Sequence, residues 1–127
     1  MNDNTSEQHF SFAVNIAIEA IKSLLLVNGG AATALIALTS KDRSSADFGL
    51  AVLLFGAAAL FNALTLVVGY FSQLSYANHR LYFEKDDCTE AETSIKRHEF
   101  LQHVAGGMIA TSLLLSSAAM VSAFCAL

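Results

Sequence analysis

The sequence predicts an all-α integral membrane protein, with three long transmembrane helices and a short helical hairpin stalk outside the bilayer. Three observations predict it. Of the 127 residues, 54% are hydrophobic and only 14% are charged, against roughly 25% charged in an ordinary soluble domain. Charge is also confined: Ser23 to Ser40 and Phe48 to Asn78 carry none, and Phe100 to Leu127 carries only the titratable His103. Each window meets or approaches the roughly 20 apolar residues that cross a bilayer core as helix. None shows the charged face that a helix of a soluble bundle turns to water. Transmembrane strands would read as segments of roughly ten residues with apolar/polar alternation, and these runs are long and rich in Ala and Leu.

Helix 1 is expected over about residues 6–40. Thr5 and Gln8 have capping-box spacing, and Glu7 places negative charge in the first turn. The first nine residues hold no Lys or Arg, so the positive region of a cleavable signal is missing and the first span is expected to be retained. Lys41 to Asp47 is a short polar turn, with Ser44 or Ser45 as the next cap. Helix 2 is expected over about 46–84, because no stop signal precedes Glu84. The second turn is KDDCT. Thr89 and Glu92 form another capping-box pair, and helix 3 is expected over about 90–126. Helices of this length rise about 50 Å, against about 30 Å of hydrocarbon. The excess falls at the second turn, so residues of about 80–99 are expected to project into water as a polar hairpin tip.

Helical periodicity gathers the polar and small residues into stripes. On helix 1 these are Gln8, Ser11, Asn15, Glu19, Lys22, Gly29, Thr33, Ala37 and Ser40, with Leu26 the one large member. Ile18, Ile21, Leu24, Leu25 and Leu35 lie opposite. On helix 2, Ala58, Asn62, Thr65, Gly69, Gln73, Tyr76 and Arg80 form one stripe, while Gly49, Gly56 and Ala63 form a second. On helix 3, Glu92, Lys96, Glu99, His103, Gly106, Ala110 and Ser117 align. Facing stripes would bring Glu19, Lys22, Tyr76, Arg80, Glu99 and His103 together at the second-turn end of the helices. That cluster reads either as a pore mouth or as a salt-bridge clasp. Small residues let helix backbones approach in a membrane, so Gly29, Gly30, Gly49, Gly56, Gly69, Gly106, Gly107 and Ala110 are candidate helix contacts. Asn28 points away from the helix 1 stripe. An unpaired amide facing lipid is costly, which makes Asn62 or Thr65 on helix 2 its expected partner.

The run EAIKSLLLVNGGAA, Glu19 to Ala32, resembles a segment of small multi-span inner-membrane proteins of bacteria, in which an [LI]NGGAA core opens the first span. It covers about 20 residues counted with its flanks. The resemblance implies a multi-helix inner-membrane protein and carries no established activity. Small multi-span proteins of this general size also include membrane-disrupting effectors of defence against phage. No nucleotide-sensing domain accompanies the spans here.

Several functions are expected to be absent. There is no nucleophile–base spacing, phosphate loop or metal motif, so an enzyme is not expected. His103 lacks a second ligand for metal or haem, and no cofactor is implied. Cys88 and Cys125 fall at opposite membrane faces and should not pair, Cys125 reading as a small packing residue. A net charge of −4 offers no basic surface for nucleic acid. The lipid bilayer and further copies of the chain are the expected partners. The leading expectation is a homo-oligomeric channel or membrane-permeabilising protein of the bacterial inner membrane. The alternative is a non-catalytic subunit or regulator that docks a protein partner through residues 80–99. A holin is less expected, because the chain ends in SAFCAL rather than a basic tail, and a small transporter would normally need more helices. Lys and Arg favour the tail and second turn over the first turn, which places the N-terminus in the cytoplasm and the C-terminus outside.

Overall fold

The computed structural model describes the backbone of residues 3–41, 48–85 and 88–126, and the side chains of this set apart from 3–10, 13, 40 and 41. Three helices account for it: α1 (Asp3–Lys41), α2 (Gly49–Glu84) and α3 (Cys88–Cys125). No strand occurs among the described residues. All three helices are long and apolar enough to cross a membrane.

Burial shows what surrounds them. The largest fully buried side chains are Asn28, Asn62, Thr65 and Ser112. Leu26, Leu53, Leu114 and Phe124 are instead 68–79% exposed. A soluble domain hides its large apolar groups and shows polar ones to water. Here the order is inverted, as it must be when hydrocarbon is the solvent and small or polar residues join the helices. The chain is a multi-pass membrane protein.

The helix ends differ in detail from the expectations. The first cap, Thr5 with Gln8, lies outside the described side chains, and Ser44 and Ser45 lie outside the described residues. Helix α2 starts at Gly49, three residues after the expected Ala46. The half-in residue before it is Phe48, buried and without a side-chain cap bond. Helix α3 starts at Cys88, so Thr89 sits within the first turn and does not cap it. Its carbonyl accepts the Thr93 hydroxyl at 3.0 Å, and Glu92 turns forward to Lys96 at 2.6 Å. The forward ion pair competes with the backward reach that a capping box needs. At the end of α2, Lys85 adopts φ −94° and ψ 7°. Its N–H donates to the Tyr82 carbonyl at 3.1 Å, and this closes the helix.

Helix α2 lies between the other two, and its pairing with α3 is the more extensive. Cross-helix hydrogen bonds at three levels set the register of that pair. Ser112 Oγ donates to the Ala58 carbonyl at 3.1 Å. His98 Nδ1 donates to the Ser72 carbonyl at 2.8 Å. His79 Nδ1 donates to the Ala91 carbonyl at 2.7 Å. Each pair is equidistant from Lys85, and the bonded positions on either helix differ by multiples of seven. The same register sets Thr65 against Ala105 and Ala51 against Ala119. Both of those last alanines are fully buried. The seam is therefore an antiparallel pairing with a heptad repeat. Its positions are Ala51, Ala58, Thr65, Ser72 and His79 against Ala119, Ser112, Ala105, His98 and Ala91.

This seam carries the close contact that the glycines were expected to make. A Cβ placed on any of the seven glycines would meet nothing within 4 Å. Gly49 and Gly56 precede Ala51 and Ala58 by two residues, which turns them roughly 200° around the helix. Within one chain, Gly29, Gly30, Gly49, Gly56, Gly69, Gly106 and Gly107 all face open space, and Ala110 is exposed.

Because Ala58 is fully buried beneath the Ser112 hydroxyl, Ala58→Leu should overpack the seam. We expect a loss of about 1–3 kcal/mol, read as a lower thermal midpoint in detergent. Leu53→Ala, at a 68% exposed position, should leave the midpoint nearly unchanged.

Candidate functional site

Helix α1 meets α2 through the apolar side that holds Ile21 and Asn28, both buried, with Ile18, Leu24, Leu25 and Leu35 partly covered. Its polar stripe faces outward. Ser11, Asn15, Glu19, Lys22, Leu26, Thr33 and Ala37 are exposed, and Gly29 is half-buried. Glu19 and Lys22 form an ion pair of 2.8 Å with each other. On α3 the charged stripe faces outward too: Glu92, Lys96, Glu99, His103, Gly106, Ala110 and Ser117 are all exposed. Only the α2 stripe turns inward, with Ala58, Asn62 and Thr65 buried and Gly69, Gln73 and Tyr76 half-buried.

The expected polar cluster is therefore divided within one chain. Tyr76 belongs to the α2–α3 seam, its ring centroid 5.2 Å from that of His98 and 6.4 Å from that of His79. Arg80 is exposed further along α2. Glu99 and His103 are joined, through the Glu99 backbone carbonyl, which accepts from His103 Nδ1 at 2.7 Å. Glu19 and Lys22 stay on the outer side of α1. The physical reason is solvation. Charged groups near the membrane boundary reach water and headgroups when they point outward, whereas enclosing them among three helices would strip that solvation away.

The buried polar centre instead joins all three helices deep in the spans. Asn28 Oδ1 accepts the Ser116 hydroxyl at 2.8 Å, which ties α1 to α3. The same hydroxyl lies 2.8 Å from the Ser112 carbonyl, so its one hydrogen is shared. The partner of Asn28 is thus on α3. Neither α2 candidate bonds it: the Thr65 hydroxyl donates to the Phe61 carbonyl of its own helix, and the Asn62 amide has no partner among the described residues. Among the described residues three buried amide atoms have no hydrogen-bond partner, namely Asn28 Nδ2, Asn62 Nδ2 and Asn62 Oδ1. Burying such groups unpaired costs about 1–3 kcal/mol each on mutational scales.

The residues that periodicity missed are His98, Ser72 and His79. His98 is 5% exposed. Its ring donates to the Ser72 carbonyl while the Ser72 hydroxyl lies 3.4 Å from the His98 carbonyl. The signal for them is the heptad of small residues: His98 stands in the same series as Ala91, Ala105, Ser112 and Ala119. In lipid, the helix interface follows small side chains rather than charged ones.

Among the described residues no group of three or more His, Cys, Asp or Glu side chains could hold a metal ion. Cys88 and Cys125 are free thiols at opposite ends of α3. Both are exposed, so Cys125 does not pack against the other helices. No family model matches the chain, and neither the curated proteins nor the solved structures contain a match.

Substitutions at His98, His103 and Asn62 separate buried from exposed polar groups. His98→Leu removes the bond to the Ser72 carbonyl and should cost about 0.5–1.5 kcal/mol, whereas His103→Leu, which loses only a bond within its own helix, should leave the thermal midpoint in place. Asn62→Leu keeps the branched shape while removing two unpaired buried polar atoms, and should be neutral or stabilising. Both comparisons are read by thermal unfolding in detergent micelles.

Proposed function

We infer that the chain assembles with copies of itself in the bacterial inner membrane, as a channel or membrane-permeabilising oligomer. One observation carries this reading: the polar stripes of α1 and α3 face out of the three-helix unit. Helices α1 and α3 run in the same direction, both antiparallel to α2. Their outer stripes follow one sequence of chemistry. Each begins polar or charged at the second-turn end, in Asn15, Glu19 and Lys22 or in Glu92, Lys96, Glu99 and His103. Each becomes small deeper in, at Gly29, Gly30 and Thr33 or at Gly106, Gly107, Ala110 and Thr111.

A lipid surface gains nothing from such stripes, while a neighbouring helix does. If α1 of one copy meets α3 of the next, the contact is head-to-tail, and it forms a ring where the rotation between copies closes. Any aqueous path then runs between copies, since the inside of one unit is filled by Asn28, Asn62, Ser112 and the alanine seam. In this reading the spans serve assembly and conduction, no catalytic chemistry is carried by the chain, and the N-terminus is cytoplasmic.

A second reading rests on the hairpin. Leu81 and Phe83 are 51% and 67% exposed near its tip, beside exposed Arg80, Lys85, Glu90 and Lys96. Apolar side chains standing outside the hydrocarbon among charges suit a docking surface for a protein partner.

Paired cysteines distinguish these readings. In a chain freed of Cys88 and Cys125, Glu19→Cys combined with His103→Cys should give a ladder of covalent oligomers on oxidation in membranes. In liposomes the unsubstituted protein should conduct ions, and Glu19→Gln should alter ion selectivity with assembly unchanged. A monomer in mild detergent, with no conductance, rules out the channel.

A further inference from the structure

A cleft of about 580 Å³ opens between α1 and α3, with α2 as its floor. Its walls are Ile18 and Ile21 of α1, Gly69 of α2, and Gly106 and Ile109 of α3. Gln73 and Gln102 also line it. Among the described residues neither amide has a hydrogen-bond partner. The glycines shape the space: a Cβ at Gly69 or Gly106 would meet nothing within 4 Å. Size and chemistry match a small-molecule site, which is typically about 300–1,000 Å³, largely apolar, and equipped with a few polar groups.

We propose that this cleft binds an uncharged acyl lipid whose head carries ester and hydroxyl groups, of the diacylglycerol type. Three features select that occupant. The cleft is closed toward the membrane centre, because the 2.8 Å bond from Ser116 to Asn28 ties α3 to α1 there. The lining runs from Gln102 to Ile109 on α3 and from Val14 to Ile21 on α1, about 10 Å of helix at 1.5 Å per residue, so the cleft takes the head-proximal part of an acyl chain within a leaflet of a core about 30 Å thick. An acyl chain ends at mid-bilayer and fits such a wedge. A transmembrane helix of a second copy continues across the bilayer and is stopped by the tie.

The head chemistry is set by the two glutamines. An amide both donates and accepts, as ester carbonyls and hydroxyls require. Among the described residues no charged side chain lines the cleft. Lys22 lies outside it, paired with Glu19. A phosphate head would therefore enter without a counter-charge. This inference does not depend on the chain forming oligomers.

The test uses the full chain in vesicles of phosphatidylethanolamine and phosphatidylglycerol, with tyrosine emission as the readout. Tyr70 lines the cleft, and Tyr76 and Tyr82 do not. The quenchers are diacylglycerol brominated on its acyl chains and, in parallel, phosphatidylglycerol with the same brominated chains. We expect saturable quenching by the diacylglycerol and only gradual, non-saturating quenching by the phospholipid. The saturable part should disappear in Tyr70→Phe, which removes the reporter. It should also disappear in Gly106→Leu and Gly69→Leu, which fill the cleft from two different helices, and persist in Gly56→Leu, on an open face outside it. Gln73→Leu with Gln102→Leu should abolish the preference over phospholipid. Equal quenching by the two lipids, or a saturable part that survives in Tyr70→Phe or in both cleft-filling variants, overturns the proposal.

Discussion

The structure depends on the close approach of α2 and α3 along a seam of small residues. Alanine, serine and threonine recur at heptad positions on both helices, and at this spacing the two backbones face each other over the full length of the pair. Close approach brings side-chain donors of one helix to carbonyls of the other, through Ser112, His98 and His79. These bonds do not depend on a hydrophobic force, which lipid cannot supply between helices. Once the pair is fixed in register, α2 has one side left for α1, and the outward direction of the α3 charges follows from the direction of its alanines.

Helix α1 is held differently. It presents Ile21 and Asn28 to the pair and is joined to α3 by one side-chain bond. That bond sits deep in the spans, and toward the second turn α1 and α3 enclose the cleft floored by α2. The unpaired amide atoms lie at the same centre. An apolar set of the same shape would pack there without that cost. The centre therefore carries a cost in stability, while its Asn28–Ser116 bond joins α1 to α3.

The two outward stripes give the unit its character as a component. On these outer faces the hydroxyls of Thr33, Thr111 and Ser117 are satisfied within their own helices, on the carbonyls of Gly29, Gly107 and Leu113. They can therefore face lipid or another helix. The glycines beside them border open space. The charged ends, Glu19 with Lys22 and Glu92 with Lys96, carry their own counter-ions. The unit therefore meets the needs of its charged groups without a neighbour.

The amino-acid sequence by itself determines the three spans, their two turns and the all-α class. Length and the absence of charge suffice, because a backbone in hydrocarbon must bond to itself. It also determines the stripes, since helical periodicity is fixed by 3.6 residues per turn. Which stripe faces which neighbour is decided only in the tertiary structure. Periodicity gives angles around one axis and leaves the rotation of each helix open. Reading the most polar side as the inward one places Glu19 and Glu99 together, as in a protein that hides its polar site from solvent. In lipid the inward side is the one that lets backbones approach, so Ala58, Ser112 and His98 define it, and the charges turn to the boundary. Asn28 illustrates both levels. Its amide needs a partner on any reading of the sequence, and only the packing of α1 against the finished α2–α3 pair makes that partner Ser116.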